Sequence, residues 1–210
     1  VDRTCPLLGG SQAPYPYRTI EENAWLELGG RVTPWYTFWV DMSKDEAISN
    51  YIKNIKTVVE KTDGLKSAVI LENTAGQGSE IGFRFDELGD IYKKIGNKKR
   101  VKFCLDTAHM FGAGYDLKDV KAAKETLGNI DKFLGVENIG GIHFNDSKKA
   151  LSSHVDRHED VGHGTIGDEG LKSFVLELRK LGGEDIPLIL ETPEGFESYE
   201  KQIRKVKSWF

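Results

Sequence analysis

With 210 residues, 39% of them hydrophobic, the chain can bury one sizeable core, and usual domain size favours one domain over two. Its 29 basic and 33 acidic side chains leave a net charge of -4, so any nucleic-acid contact has to come from a local patch rather than from global charge. Cys5 and Cys104 form no disulfide framework and no apolar run is long enough for a signal peptide or a membrane span, which points to a reduced, intracellular, soluble protein.

Residues 1–42 show no regular alternation. "GGSQAPYPY" is turn-like, "TIEENAWLELGG" suits a short helix, and "RVTPWYTFWVDM" suits one strand interrupted early by Pro34. From Ser43 the pattern changes. Ser43-x-x-Glu46 is a capping box, and Ile48, Tyr51, Ile52, Ile55, Val58 and Val59 then share one helical face, ending near Gly64. "SAVILEN" (67–73) reads as a buried strand. Phe85, Leu88, Ile91, Tyr92 and Ile95 mark the next helix, stopped by Gly96, and "VKFCLDT" (101–107) the next strand. A helix with Val120, Ala123, Leu127, Ile130 and Phe133 leads to the strand "IGGIHFND" (139–146). The histidine-rich "HVDRHEDVGHG" (154–164) suits neither a good helix nor a good strand. After it come a helix through Leu171, Phe174, Val175 and Leu178, the strand "PLILET" (187–192), and a final helix ending in Trp209-Phe210. Helices alternating with near-continuous apolar strands predict an α/β fold with a parallel sheet covered by helices.

In such folds the site lies outside the carboxyl ends of the strands. The residues that close the four strong strands are Glu72, Asp106, His143 and Glu191, all of metal-ligand type. Singly, each has an ordinary explanation: a strand-ending carboxylate often caps a helix, and an isolated histidine often sits satisfied in a core. Four at successive strand ends outweigh that, and carboxylates mixed with imidazole suit zinc or manganese better than calcium. A second set lies nearby. Asp106-x-x-His109 leaves its strand and turns back, and Asp156-Arg157-His158 places two ligand types two residues apart. The irregular loop is then a backbone wrapping an ion, with Gly162 and Gly164 permitting close approach. His154 and His163 are expected at the surface or behind the ligands. Lys148, Lys149 and Arg157 are solvated charges, or phosphate contacts if metals lie beside them. "TAGQG" (74–78) alone is a weak phosphate-loop signal.

The blocks "VILENTAGQGSEIGF", "CLDTAHMFGAGYDL", "GIHFNDSKKALSSHVDRHEDVGHGTIG" and "PLILETPEG", in this order over residues 43–210, closely resemble the endonuclease IV family of apurinic/apyrimidinic endonucleases. The resemblance implies a TIM-type barrel with three zinc ions that hydrolyses the phosphodiester 5′ to an abasic site in double-stranded DNA, leaving a 3′-hydroxyl. Carried over by position, it makes Glu72, Asp106, His143 and Glu191 the ligands of one zinc and His109, Asp156 and His158 those of another. Glu72 would also support the attacking hydroxide and bridge to the third ion, while Lys148, Arg157, Gly162 and Gly164 would meet DNA phosphates. The family holds that third zinc with two earlier histidines, one in a His-Pro-Gly segment just before the helix that starts here at Ser43. This chain has "TPWYTFWVDM" there, so two zinc ions are expected instead of three.

A complete barrel of this type usually takes about 250 residues. The expectation is an incomplete barrel whose first strands are missing or replaced: an atypical segment over 1–42, and the C-terminal part of the barrel over 43–210. The change of character near Ser43, and Val rather than Met at position 1, suggest processing, truncation, alternative splicing or a wrong N-terminal exon. The compartment would be nucleus or mitochondrion in a eukaryote and cytoplasm in a bacterium. Two alternatives stay open. The missing histidines favour a catalytically inactive zinc or damaged-DNA-binding fragment. A divalent-metal sugar isomerase or epimerase also places Glu, Asp, His and Glu at strand ends, but the "DRH" element and "FNDSKK" speak against it.

Overall fold

The computed structural model describes residues 43–210. The turn, short helix and Pro34-interrupted strand expected over 1–42 lie outside the described residues. Helix α1 (Lys44–Lys61) starts at Ser43, whose hydroxyl accepts from the Glu46 amide while the Glu46 carboxylate accepts from the Ser43 amide. Strand β1 (Val69–Glu72) and helix α2 (Phe85–Ile95) follow, the helix stopped by Gly96 in the left-handed region. Next come β2 (Val101–Asp106), a short α3 (Thr107–Ala113) that periodicity did not foresee, and α4 (Val120–Phe133). The chain closes with β3 (Ile139–His143), β4 (Asp146–Ser147), β5 (His158–Glu159), α5 (Gly167–Lys180), β6 (Leu188–Ile189) and α6 (Phe196–Lys207).

Two expectations are corrected here. "IGGIHFND" is not one strand, and the histidine-rich stretch is not wholly irregular: β4 and β5 pair antiparallel, Asp146 with Glu159 and Ser147 with His158. The break falls where Asn145 bonds a side chain instead of a neighbouring strand, its amide donating to the Thr107 hydroxyl at 2.9 Å.

Among the described residues the main sheet has four parallel strands in the order β1-β2-β3-β6. Alternation sends Leu71, Phe103, Leu105 and Ile142 to the helix side, where they are fully buried with Leu88, Ile91, Leu127, Ile130 and Phe174. Each such side chain contributes about 1.5–3 kcal/mol by leaving water. The other face carries the strand-closing residues. Between β2 and β3 the register slips by one: Phe103 pairs with Ile139 but Cys104 with Gly141, leaving Gly140 as an extra residue. A Cβ at Gly140 would lie 3.1 Å from both Ile70 Cδ1 and Lys102 Cβ, so any side chain there would crowd β1 and β2. Among the described residues no helix is long and apolar enough to cross a membrane.

Candidate metal centre

Register brings four of the expected ligands to one point. Asp106 and His143 are partners across β2 and β3, Glu72 pairs with Cys104 two residues before Asp106, and Glu191 lies two beyond Ile189, the partner of His143. With a side-chain period of two, all four face the same side. His143 Nδ1 lies 3.0 Å from Glu72 Oε1 and 3.0 Å from Glu191 Oε2, and the ligand atoms of the four residues fall within 4.8 Å of one another. Three carboxylates around one imidazole repel each other unless a cation joins them, so the donor set fits a divalent metal. Asp106, completely buried, also caps α3: its Oδ1 accepts from the His109 amide at 2.8 Å, and its Oδ2 accepts from Asn145 Nδ2 at 2.7 Å. The capping explanation and the ligand explanation therefore hold together at this residue.

The second set is built from α3, the histidine-rich loop and β5. His109 Nδ1 lies 2.9 Å from the Asn73 carbonyl and His158 Nδ1 lies 3.2 Å from the Glu191 carbonyl. A carbonyl only accepts, so each Nδ1 carries the proton and each Nε2 is turned inward. The two Nε2 atoms are 3.4 Å apart, and Asp156 Oδ1 is 3.3 Å from both. Asp106 Oδ2 adds a further oxygen 3.4 Å from His158 Nε2, so this carboxylate borders both sets, whereas the resemblance assigned it to one. Two inward lone pairs beside carboxylates call for a cation, and backbone-fixed imidazoles are how proteins present ligands to zinc. Without a metal, a proton takes part of that place. Burial works against a charged His109, but the hydrogen bond to Asp156 and the charges of Asp106 and Asp156 outweigh it, raising its pKa to about 9. The same hydrogen bond holds the Asp156 carboxyl below its ordinary value.

Several supporting residues escaped the sequence. Buried Asn73 accepts from the Asp106 amide at 2.8 Å, and Asn145 accepts from the Glu191 amide at 2.9 Å while donating to Asp106. The available signal was an amide one or two residues after a strand-closing ligand, in "LEN" and "HFN". Gln77 of the glycine-rich segment accepts from the Asp156 amide at 3.3 Å, which gives "TAGQG" a place behind a ligand.

Lys148 and Arg157 are exposed beside the second set, Lys148 near Glu159 at 3.5 Å and Arg157 donating to the Asp156 carbonyl. Gly162 and Gly164 need a correction. Their amides donate to the buried Asp146 carboxylate at 3.2 and 3.0 Å, because a buried charge requires donors, so the loop wraps this side chain and not the ligand cluster. His154 and His163 are exposed and belong to neither set, as expected. Cys104 is buried among the ligands, and burial, with Glu72 nearby, pushes its thiol up to about 12 in the metal-free chain.

The sequence model of a family described as xylose isomerase-like TIM barrel matches residues 18–209. A probable endonuclease 4 of Aster yellows witches'-broom phytoplasma (strain AYWB) is 41% identical over 172 residues, covering 81% of this chain and 57% of that protein. The crystal structure of endonuclease IV from Thermus thermophilus superposes with a TM-score of 0.65 at 34% identity, covering 77% of this chain and 57% of that one. A D-tagatose 3-epimerase-like protein, at 19% identity and a TM-score of 0.64 over 90% of this chain and 65% of its own, shares the fold. The chain spans about half the length of the curated relatives it matches.

Proposed function

Because the chain belongs to the xylose isomerase-like TIM-barrel family, we propose that its two ligand sets form the zinc centre of an endonuclease IV-type phosphodiesterase acting on abasic sites in double-stranded DNA. The observation that carries this reading is the convergence of His109, Asp156 and His158 beside Glu72, Asp106, His143 and Glu191. The second set, with the Asp156-Arg157-His158 run in it, suits in-line attack on a charged phosphodiester. In this reading residues 43–210 are the C-terminal part of the barrel domain, and 1–42 are a segment that departs from the family.

Zinc, when bound, supplies positive charge for the phosphate in the transition state and acidifies water for in-line attack. The chain's own residues do the rest. Asp106, His143 and Glu191 would hold one ion, and His109, Asp156 and His158 the other. Glu72, partly exposed beside His143, would help to hold one ion, and its carboxylate would orient the attacking water and accept its proton. Lys148 and Arg157 meet backbone phosphates next to the scissile bond. The new bond joins the water oxygen to phosphorus, and the bond broken joins phosphorus to the 3′-oxygen on the 5′ side of the abasic sugar. That oxygen takes a proton from solvent to become a 3′-hydroxyl, and the phosphate stays on the 5′-oxygen of the abasic sugar.

A second reading has its own support: none of the five histidines lies in residues 1–42, and "TPWYTFWVDM" stands where the resembled family carries one histidine of its third zinc. On that reading the chain binds zinc and damaged DNA without cutting. Metal analysis with an abasic-duplex nicking assay separates the cases. Two zinc ions per chain with chelator-sensitive nicking supports the nuclease. Zinc without nicking supports the binding fragment, and one metal with ketose formation overturns both.

A further inference from the structure

We propose that Asp146, which touches no ligand, is the positioning residue of the second metal set; this rests on the zinc-centre reading above. Its completely buried carboxylate accepts five backbone amides: Ser147 at 2.7 Å and Ile166 at 2.9 Å on Oδ1, and Gly162, Gly164 and Gly167 at 3.2, 3.0 and 3.1 Å on Oδ2. Four of these donors come from residues 162–167, directly after β5. A loop folded this way around an oxyanion is an anion-binding nest whose anion belongs to the chain. Hydrogen bonds to a charged acceptor are strong, and leaving a buried charge short of donors is costly.

The glycines follow from the cradle. Gly162 and Gly167 have φ of 81° and 76°, where other residues are strained. A Cβ on Gly164 would meet both Asp146 Oδ1 and the Ser147 carbonyl at 2.5 Å. The Thr165 amide adds a 2.7 Å bond to the Ser147 carbonyl. All of this clamps the loop to β4, and β4 pairs Ser147 with His158. The cradle therefore sets where His158 faces His109 and Asp156. None of its donors lies on β1, β2, β3 or β6, which carry or immediately precede the other four ligands. Its influence falls on one set only.

The test is zinc uptake by the full chain, read by competition with a chromogenic chelator. Asp146→Asn keeps the volume but turns one acceptor oxygen into a donor. Wild type binds two zinc ions; the variant holds one unchanged and the other about 10–100-fold more weakly. In the background of His158→Ala, which already lacks the second ion, Asp146→Asn causes no further zinc loss. Both ions held at wild-type affinity, or both loosened equally with the circular dichroism of the fold retained, overturns the proposal. If Asp146→Asn does not fold, Gly164→Ala carries the same test from the opposite side of the cradle, with the same selective loss expected and unaltered zinc binding as the refuting result. A wild-type chain that takes up no zinc overturns the zinc-centre reading itself.

Discussion

Glu72, Asp106, His143 and Glu191 are presented at or just beyond the ends of neighbouring parallel strands, while His109, Asp156 and His158 come from a short helix, a loop and a two-residue strand. The first set needs little besides the sheet: once hydrophobic residues fix the register, the ligand atoms arrive together. The second set has no such frame. His109 is oriented by the Asn73 carbonyl, His158 by the Glu191 carbonyl, and Asp156 by Gln77, each a specific polar bond. Sheet geometry thus builds one half of the centre and side-chain chemistry the other, so the two halves should fail differently.

The largest effect is expected where the halves meet. Asp106→Ala removes the carboxylate both sets share, strips Asn145 Nδ2 of its partner and uncaps α3. Both zinc ions should be lost, nicking should fall by on the order of 10²–10³-fold or more, and stability by about 1–3 kcal/mol, as read by metal analysis, nicking rates and melting. Next, His158→Ala and His143→Ala should each empty one half, leaving one zinc per chain. If either variant lost both ions, the halves would not be separable. Asn145→Ala is smaller, because it removes a support and no ligand: it should weaken zinc about 10–100-fold in chelator competition.

A pH effect is expected from the second half. In the metal-free chain the His109 pKa is raised to about 9 from 6.5. Its contribution to stability, about 3 kcal/mol at most, is therefore fully present below pH about 6.5 and lost as pH rises through about 9. Melting temperature of the metal-free chain should fall across that window, and zinc uptake near neutral pH should release a proton, which calorimetry in buffers of different ionisation enthalpy will detect. The smallest change is expected from Lys148→Ala and Arg157→Ala. Each should weaken binding to any duplex and reduce the salt dependence by about one unit of slope, without altering zinc content.

The division also explains what could be read in advance. Capping box, helix faces and strand-closing ligands depend on periods of 3.6 and 2, which a sequence displays directly. Residues of the second set were recognisable as ligand types, but their orientation depends on carbonyls and amides far along the chain, which no local pattern encodes. Gly162 and Gly164 show the failure most clearly. Flexible glycines beside histidines suggested close approach to an ion, yet the partner their amides find is Asp146, 16 and 18 residues earlier. The break after His143 was missed for the same reason, since it depends on the Thr107 hydroxyl across the sheet.

The extra residue at Gly140 lets one short strand obey two masters. Ile139 and Ile142, an odd number of positions apart, both reach the helix layer, while His143 still opposes Asp106. Remove that residue and regular alternation forces a trade: either Ile139 stays in the oily layer and the imidazole swings away from the carboxylates, or the imidazole stays and Ile139 is thrown out to the polar side. The slack of a single glycine therefore uncouples how this strand packs from what it displays, leaving each end free to change without disturbing the other.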